Sequence, residues 1–486
     1  MTQAIPASLL GSIHAQMIDD PQLPRDNPTT SFWQIPPHPN LSKIQSAELP
    51  QRTEYAIIGS GVTGCSIAKN LLELSPSGYV TVFEARLLCS GATGRNGGLL
   101  TSFVPSDFTT LSEHLGVEQA VKIARFANRT LDKMHELGNA SKEFKSASEV
   151  RRVRDVVCFG DAESFQAGKK SMALYEEHVP EDRGTFEVLS AKEARLKYNV
   201  KESFGAIIFN CGAFWPYRLI TAIWAQLRSQ HSTRLSIETK TPITAISIDS
   251  QSDSKYPYVL TTPRGTVRAA QVIHATNGYT GHLLPKLRGA IFPVRGTMST
   301  QKPPAAFGNF GNERAWSFTH RPRFDSETNV LELGLYYSNQ NPKSGDVFIG
   351  GESARLDEIF AADDTTISVP SKDNISSIMT KLFTYEEPAE VRKVWSGIMG
   401  FTADHMPLVG KVPASITGRG DGEWIAAGFN GYGMPQCWSS GEAVAKMILG
   451  IDASDFLPDV FLATEERLGN AERMDPKAFL GRLLGL

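Results

Sequence analysis

Three glycines and an acid carry the first chemistry legible in this 486-residue chain. In Tyr55-Ala-Ile-Ile-Gly-Ser-Gly-Val-Thr-Gly64, an apolar run meets a glycine turn, and a helical pattern follows. Gly59 makes the tight turn, Gly61 admits a pyrophosphate close to the backbone, and Gly64 lets helix and strand pack closely. Val62 and Thr63 open the helix, whose unpaired N–H groups and positive dipole end suit phosphate. Glu84 falls twenty residues after Gly64, at the end of Tyr79-Val-Thr-Val-Phe83, where a carboxylate can accept bonds from ribose hydroxyls. Ala85 and Arg86 continue that end. The pattern predicts an adenine dinucleotide and disfavours a 2′-phosphate, but leaves NAD and FAD open.

Other residues are candidates for chemistry at the far end of such a ligand. Ser90-Gly-Ala-Thr-Gly-Arg-Asn-Gly-Gly98 is too glycine-rich for a helix, so backbone comes close to something there. Its Thr93, Gly94, Arg95, Asn96, Gly97 and Gly98 are candidate ligand contacts, although Arg95 could equally hold the loop by a salt bridge. His405 is the type of side chain most readily tuned for proton transfer near neutral pH, and equally a common structural residue. Its neighbour Asp404 suits a turn cap before Pro407. Arg295 could hold a substrate carboxylate bidentately or form a structural ion pair. Tyr336 and Tyr337 are consecutive on a predicted strand, so one faces in and the other out.

The elements that must position these residues follow from periodicity. Residues 107–140 predict a surface helix, 161–178 another, and Ala191–Tyr198 a shorter one. Strands are predicted at Leu235–Glu238, Ile243–Ile248, Tyr258–Thr262 and Thr266–Arg268, and a buried one from Gln271 exits into Thr276-Asn-Gly278. A strand-rich block covers Ala315–His320, Val330–Tyr337 and Val347–Gly351. At the end, Gly428-Phe-Asn-Gly-Tyr-Gly-Met434 opens a helix to Leu449. Residues 1–50 carry seven prolines from Pro21 to Pro50 and predict an extended arm anchored by Phe32 and Trp33.

Composition excludes several classes. The net charge of −3, from 49 basic and 52 acidic residues, offers no basic field for nucleic acid or anionic lipid. No apolar run approaches the ~20 residues of a membrane span. The five cysteines are scattered, with no metal spacing, so no metal is expected and a reducing compartment is. The first thirty residues lack a secretory pattern, and the terminal Gly-Leu is no peroxisomal address, which makes a cytoplasmic location the expectation.

Taken together, the motifs resemble the FAD-dependent oxidoreductases of the D-amino-acid oxidase, glycine oxidase and sarcosine oxidase superfamily, and within it a fungal-type subgroup. The resemblance runs from about 54 to 450. It rests on the Gly59 turn with Glu84 and Arg86, the Ser90–Gly98 loop, Gly212–Tyr217, Ala275–Gly278, Pro293–Gly296, Trp395-x-Gly-x-x-Gly-x-Thr-x-Asp404, and Gly428–Met434, in the family's order.

That resemblance implies an α/β plus α+β architecture: a discontinuous Rossmann-type FAD domain and a substrate domain on a mostly antiparallel sheet. The expected division is an arm at 1–50, the FAD domain at 51–105, 205–290 and 395–450, the substrate domain at 106–204 and 291–394, and an extension at 451–486. Gly431, Tyr432, Gly433 and Met434 would serve the flavin, with backbone N–H groups stabilising charge at N1 and the C2 carbonyl. Asp404 would lie near the pyrimidine side. His320 stands where relatives often carry glutamine and could tune the substrate pocket, and Tyr337 joins it, His405 and Arg295 as a catalytic candidate. Pro435 replaces a lysine of sarcosine oxidases. Covalent attachment points are absent at Gly397 and Arg95, so FAD is expected to be non-covalent, with Cys89 the residual attachment candidate.

The implied activity is hydride transfer from an amine or amino-acid-type C–N bond to flavin, with oxygen as acceptor, giving imine and hydrogen peroxide. A dehydrogenase or monooxygenase tailoring a larger natural-product scaffold is the enzymatic alternative. No second Gly-x-Gly-x-x-Gly supports NADPH, since Gly418-Arg-Gly-Asp-Gly422 lacks a strand–helix context. A flavin-binding interaction protein is the alternative from another class.

Overall fold

Two β-sheets share the chain in a computed structural model that describes residues 5–484. The first four residues of the predicted arm and the last two of the predicted extension lie outside the described residues. The first sheet runs, edge to edge, through Leu408–Lys411, Glu423–Ala427, Gly265–His274, Arg52–Ile58, Val80–Phe83 and Leu235–Glu238. Four of its pairings are parallel, with Ala56 beside Val272 and Thr81. Buried on both faces, these strands read as near-continuous apolar runs. Tyr258–Thr262 and Ala245–Ile248 join antiparallel at one end.

Helix Val62–Leu74 covers this sheet, with Cys65, Ile67, Ala68, Leu71 and Leu72 buried. Helix Cys437–Ile448 packs on it through a close approach, since a Cβ at Gly441 would meet that of Ser66 at 2.7 Å. The same logic operates at Gly64, where a Cβ would fall 2.0 Å from the Gly59 carbonyl oxygen.

The second, ten-stranded sheet runs through Glu390–Thr402, Ile291–Lys302, Val347–Arg355, Val330–Gln340, Arg314–Thr319, Arg151–Phe159, Gly205–Ala213 and Leu99–Leu100. All its pairings are antiparallel except Arg314–Thr319 against Arg151–Phe159. Helix Val369–Leu382 closes one face over Trp316, Ile349 and Phe383. The mixed α/β architecture with a largely parallel and a largely antiparallel sheet is the expected one. Strands Gly205–Ala213 and Glu390–Thr402 pair in the second sheet, although the sequence grouped 205–290 and 395–450 with the first.

Two local expectations need correction. The stretch 107–140 is two helices, Val104–Leu115 and Val117–Asn139, broken at Gly116, whose φ of 82° a helix interior does not allow. The arm is not extended throughout: Ala7–Ile18 is a helix that buries Ile13 and Met17 against Phe292 and Phe479. Its short apolar stripe is diluted by small residues, which hid the period. Further along, Trp33 is buried and bonds from Nε1 to the Asn96 carbonyl.

Candidate active site

One elongated cavity of about 430 Å³ lies between the two sheets, and the motifs converge on it. At one end Ile58–Thr63, Phe83–Arg86 and Ala275–Tyr279 form the wall. Gly61 caps the helix Val62–Leu74 without a side-chain bond of its own, and the first helical N–H, of Val62, donates to the Thr93 hydroxyl at 2.9 Å. A Cβ on Gly61 would meet Thr93 Oγ1 at 2.9 Å, so the cradle needs glycine there. Glu84 closes this end. Its Oε2 accepts from the N–H and hydroxyl of Ser60 at 3.1 and 2.6 Å, and Oε1 from Arg86 N–H at 3.0 Å.

Thr93, Arg95, Asn96 and Gly97 share the wall with Gly397, Ile398 and Met399, and Arg95 packs directly on Gly397, where a Cβ would fall 3.1 Å from that of the arginine. Gly431, Tyr432, Gly433 and Met434 complete that section. Pro435 follows, and a turn with Cys437 N–H bonded to the Gly433 carbonyl at 2.7 Å precedes the helix, which starts at Cys437 rather than at Met434. Any helix-dipole contribution to the site therefore acts from one turn further away. Thr276, Asn277 and Gly278 are also on the wall, and Asn277 Oδ1 accepts from Gly428 N–H at 3.0 Å.

The far end is largely apolar: Phe103, Met298, Leu333, Leu335, Tyr337 and Phe401. Tyr337 is the inward tyrosine. Tyr336 turns to the other face, bonding from its hydroxyl to Glu332 at 2.8 Å. Burial, and then Glu352, push the Tyr337 phenol up to about 12, so it remains a neutral donor. Tyr432, also raised by burial, leans on Phe103 with ring centroids 5.4 Å apart.

The two arginines on the wall are already engaged. Arg86 Nη1 donates to both oxygens of Asp364, at 2.9 and 3.0 Å, and Arg95 Nε lies 3.5 Å from that carboxylate. Burial would lower both arginines; Asp364 carries Arg86 above its ordinary value, whereas Arg95, not directly bonded to it, falls to about 10. Arg95 also donates to the carbonyls of Ser90 and Ser396, at 2.8 and 2.7 Å. Arg95 is thus a loop-holding arginine whose backbone and flank line the cavity, and both sequence alternatives are partly realised.

Several candidates lie elsewhere. Gly64, Gly94 and Gly98 serve close packing rather than the wall; a Cβ on Gly98 would strike the Trp33 ring at 2.8 Å. Asp404 is removed to a buried cluster with Arg467 and Arg473, bonded at 2.9 and 2.7 Å. Burial raises its carboxyl, but those arginines hold it below the ordinary value. Its partners sit some sixty residues away in sequence, which no local pattern signals. His405 stacks on Phe479, centroids 4.7 Å apart, off the cavity wall. His320 pairs with Glu332 at 3.3 Å and is also off the wall. Arg295 Nη1 donates to Thr366 Oγ1 at 3.0 Å instead of facing the cavity. Cys89 is buried behind the wall, its thiol bonded to the Ser60 carbonyl at 3.0 Å. The sequence missed Gln22–Pro24, Met298, Leu333, Leu335, Glu352 and Cys437, all wall residues without a motif.

The family model described as FAD dependent oxidoreductase matches residues 54–447, most of the chain. The protein belongs to the FAD-dependent oxidoreductase family. The probable oxidoreductase OrdL of Rhizobium meliloti (strain 1021) is 24% identical over 436 residues, covering 86% of this chain and 90% of that one. Gamma-glutamylputrescine oxidoreductase of Escherichia coli (strain K12) is 23% identical over 412 residues, covering 83% and 85%. The crystal structure of glycine oxidase from Geobacillus kaustophilus superposes with a TM-score of 0.62 at 20% identity, covering 86% of this chain and 99% of that one. The helix N-terminus, the Gly61 cradle and Glu84 fit the adenosine and pyrophosphate of FAD, and the Arg95–Gly97 and Gly431–Met434 walls fit its ring end. Among the described residues no helix is long and apolar enough to cross a membrane.

Proposed function

We propose that this FAD-dependent oxidoreductase is an oxidase of a small or medium amine or amino-acid-type compound. The observation that carries the reading is the chamber walled by Tyr337, Met298, Leu333 and Leu335, which opens off the same cavity as the Gly431–Met434 segment. FAD held there would supply the two-electron acceptor for oxidising an amine at its C–N bond to an imine, with oxygen the final acceptor and hydrogen peroxide the product.

The chain's own residues bind and orient. Gly59–Thr63 and Glu84 hold the adenosine half, and Arg95–Gly97 with Gly431–Met434 hold the ring end. Tyr337 bounds the substrate side, its hydroxyl a neutral hydrogen-bond donor. The apolar residues exclude water from the transfer, which strengthens every polar contact made there. Attachment is non-covalent: the cysteine on the wall, Cys437, has its thiol pushed up to about 12 by burial and is a poor nucleophile.

The test is a visible spectrum of the purified yellow protein mixed anaerobically with a panel of amines and amino acids. Bleaching by at least one compound, and stoichiometric peroxide on admitting air, is expected. No bleaching by any of them would overturn the reading in favour of a binding-only flavoprotein. Flavin remaining in the acid-precipitated pellet would overturn non-covalent attachment.

A further inference from the structure

Glu352 is the wall carboxylate that the cofactor site does not use. It lies on strand Val347–Arg355, is 6% exposed, and faces the chamber that Tyr337, Met298 and Leu335 line. Its Oε1 accepts from the Ser371 hydroxyl, and the Thr297 hydroxyl supports it as well. Among the described residues it makes no salt bridge. Glu84, the other acid on the wall, lies at the opposite end, where it bonds Ser60 and Arg86 N–H and serves the adenosine half.

Charge in the cavity is lopsided. Of its two wall arginines, Arg86 is bonded to Asp364, and Arg95 lies 3.5 Å from that carboxylate while donating to the Ser90 and Ser396 carbonyls; the nearby Arg295 is turned to Thr366 and the Asp363 carbonyl. An anionic ligand would therefore meet a buried acid with no free guanidinium to receive it. A buried carboxylate whose nearby cation, Arg295, makes no direct ion pair with it is costly, and a ligand bringing positive charge offsets that cost.

We propose that Glu352 binds the ammonium of the substrate, and that the chamber therefore takes an amine without an adjacent carboxylate rather than an α-amino acid. The proposal rests on the amine-oxidation reading and narrows it to a substrate class. Tyr337, on the same wall, adds an aromatic group beside the carboxylate. Burial pushes the Glu352 carboxyl up to about 7, opposed by Ser371, Thr297 and Arg295, so it can also receive a proton. The N–H bond then breaks, an O–H bond forms on Glu352, and the electron pair stays on nitrogen, leaving the neutral amine needed for oxidation.

The experiment uses the FAD-loaded protein and two planar, redox-inert probes of matched size, benzamidinium and benzoate. Binding is read by calorimetry and by perturbation of the flavin spectrum. Benzamidinium is expected to bind at least tenfold more tightly than benzoate. Glu352→Gln should weaken benzamidinium at least tenfold, while Ser371→Ala, which keeps the carboxylate, should change it less than threefold. Benzoate binding as tightly as benzamidinium, or a FAD-loaded Glu352→Gln with undiminished affinity, would overturn the proposal; the wild-type comparison decides it even if that variant fails to fold. Anaerobic bleaching by α-amino acids but not by their decarboxylated amines would overturn this inference and leave the oxidase reading standing. Bleaching by neither would overturn the reading itself.

Discussion

Trp33 lies flat on Phe348, with ring centroids 3.8 Å apart and planes 11° from parallel. The arm thereby packs against the second sheet, and its Nε1 bond to the Asn96 carbonyl ties it to the loop that lines the cavity. Trp215 donates from its own indole to the Trp33 carbonyl at 2.7 Å, and Gln34 reaches the Gly94 carbonyl at 3.0 Å. The Ser90–Gly98 loop is shaped from outside by the arm as much as by its own glycines.

Trp33→Ala should accordingly cost about 3–5 kcal/mol of stability, the range for deleting a buried large aromatic. It should also loosen FAD, because the Asn96 carbonyl loses its indole partner and the loop its backing. Thermal melting with and without added FAD, together with release of flavin fluorescence on dilution, measures both. A variant as stable as wild type would show the arm to be a passive cover.

Three arginines converge on the loop 363–366, and this is the second organising feature. Arg86 and Arg95 meet at Asp364, Arg295 reaches Thr366, and the arm's Thr29 N–H donates to the Asp364 carbonyl at 2.7 Å. Asp364→Asn should leave the two buried guanidiniums uncompensated and destabilise the fold by about 3–5 kcal/mol. Arg295→Met, which removes the bonds to Thr366 and the Asp363 carbonyl near the edge of that loop, should cost about 1–2 kcal/mol. Urea unfolding of both variants checks the ranking, and equal effects would refute the central position given to Asp364.

These features mark where the sequence stopped being informative. The placement of Gly59, Gly61 and Glu84 on the cavity wall was legible because it depends on backbone geometry and spacing within one strand–helix–strand unit. Arg86, Arg95 and Arg295 were recognisable as chemically capable, but their partner lies in Ala361-Ala-Asp-Asp-Thr-Thr366, which has neither periodicity nor glycine punctuation. A charge engaged across nearly 280 residues of chain looks the same in sequence as a free one. Asp404 was half legible: it caps the turn before Pro407 by accepting from Met406 N–H at 3.2 Å, as its neighbours suggest, but its arginines at 467 and 473 carried no local signal. Glu352 was hidden differently: inside a strand pattern an acid reads as a solvent-facing residue, and only the closing of helix Val369–Leu382 over the sheet buries it.

Glu84→Ala should weaken FAD binding about 10- to 100-fold, equivalent to losing a charged hydrogen bond worth about 1.5–3 kcal/mol. Adenosine diphosphate, used as a probe of the same end, should lose affinity in parallel, whereas free riboflavin should not. Calorimetric titration of the apoprotein with each compound checks this. Parallel loss for riboflavin would mean that the substitution disturbs the whole cavity and not its adenosine end.

Asp155 provides the pH dependence. It is fully buried in strand Arg151–Phe159, with Oδ2 accepting from the Ser317 hydroxyl at 3.0 Å and no bond recorded to Oδ1. Burial raises its carboxyl from 3.8 to about 7, against the weaker opposing effect of Ser317. Because the folded protein holds this proton more tightly than the unfolded chain, stability falls as pH rises from about 4 to about 7, and the loss is complete above that. The gap between 3.8 and about 7 corresponds to at most about 4 kcal/mol. Asp155→Asn removes the titration while keeping shape and one acceptor, so it should gain most over wild type above pH 7 and least near pH 4. Urea midpoints of the two proteins from pH 4.5 to 8.5 measure the difference. A gap that stays constant across that range would show that Asp155 titrates at its ordinary value and that the strand tolerates its charge.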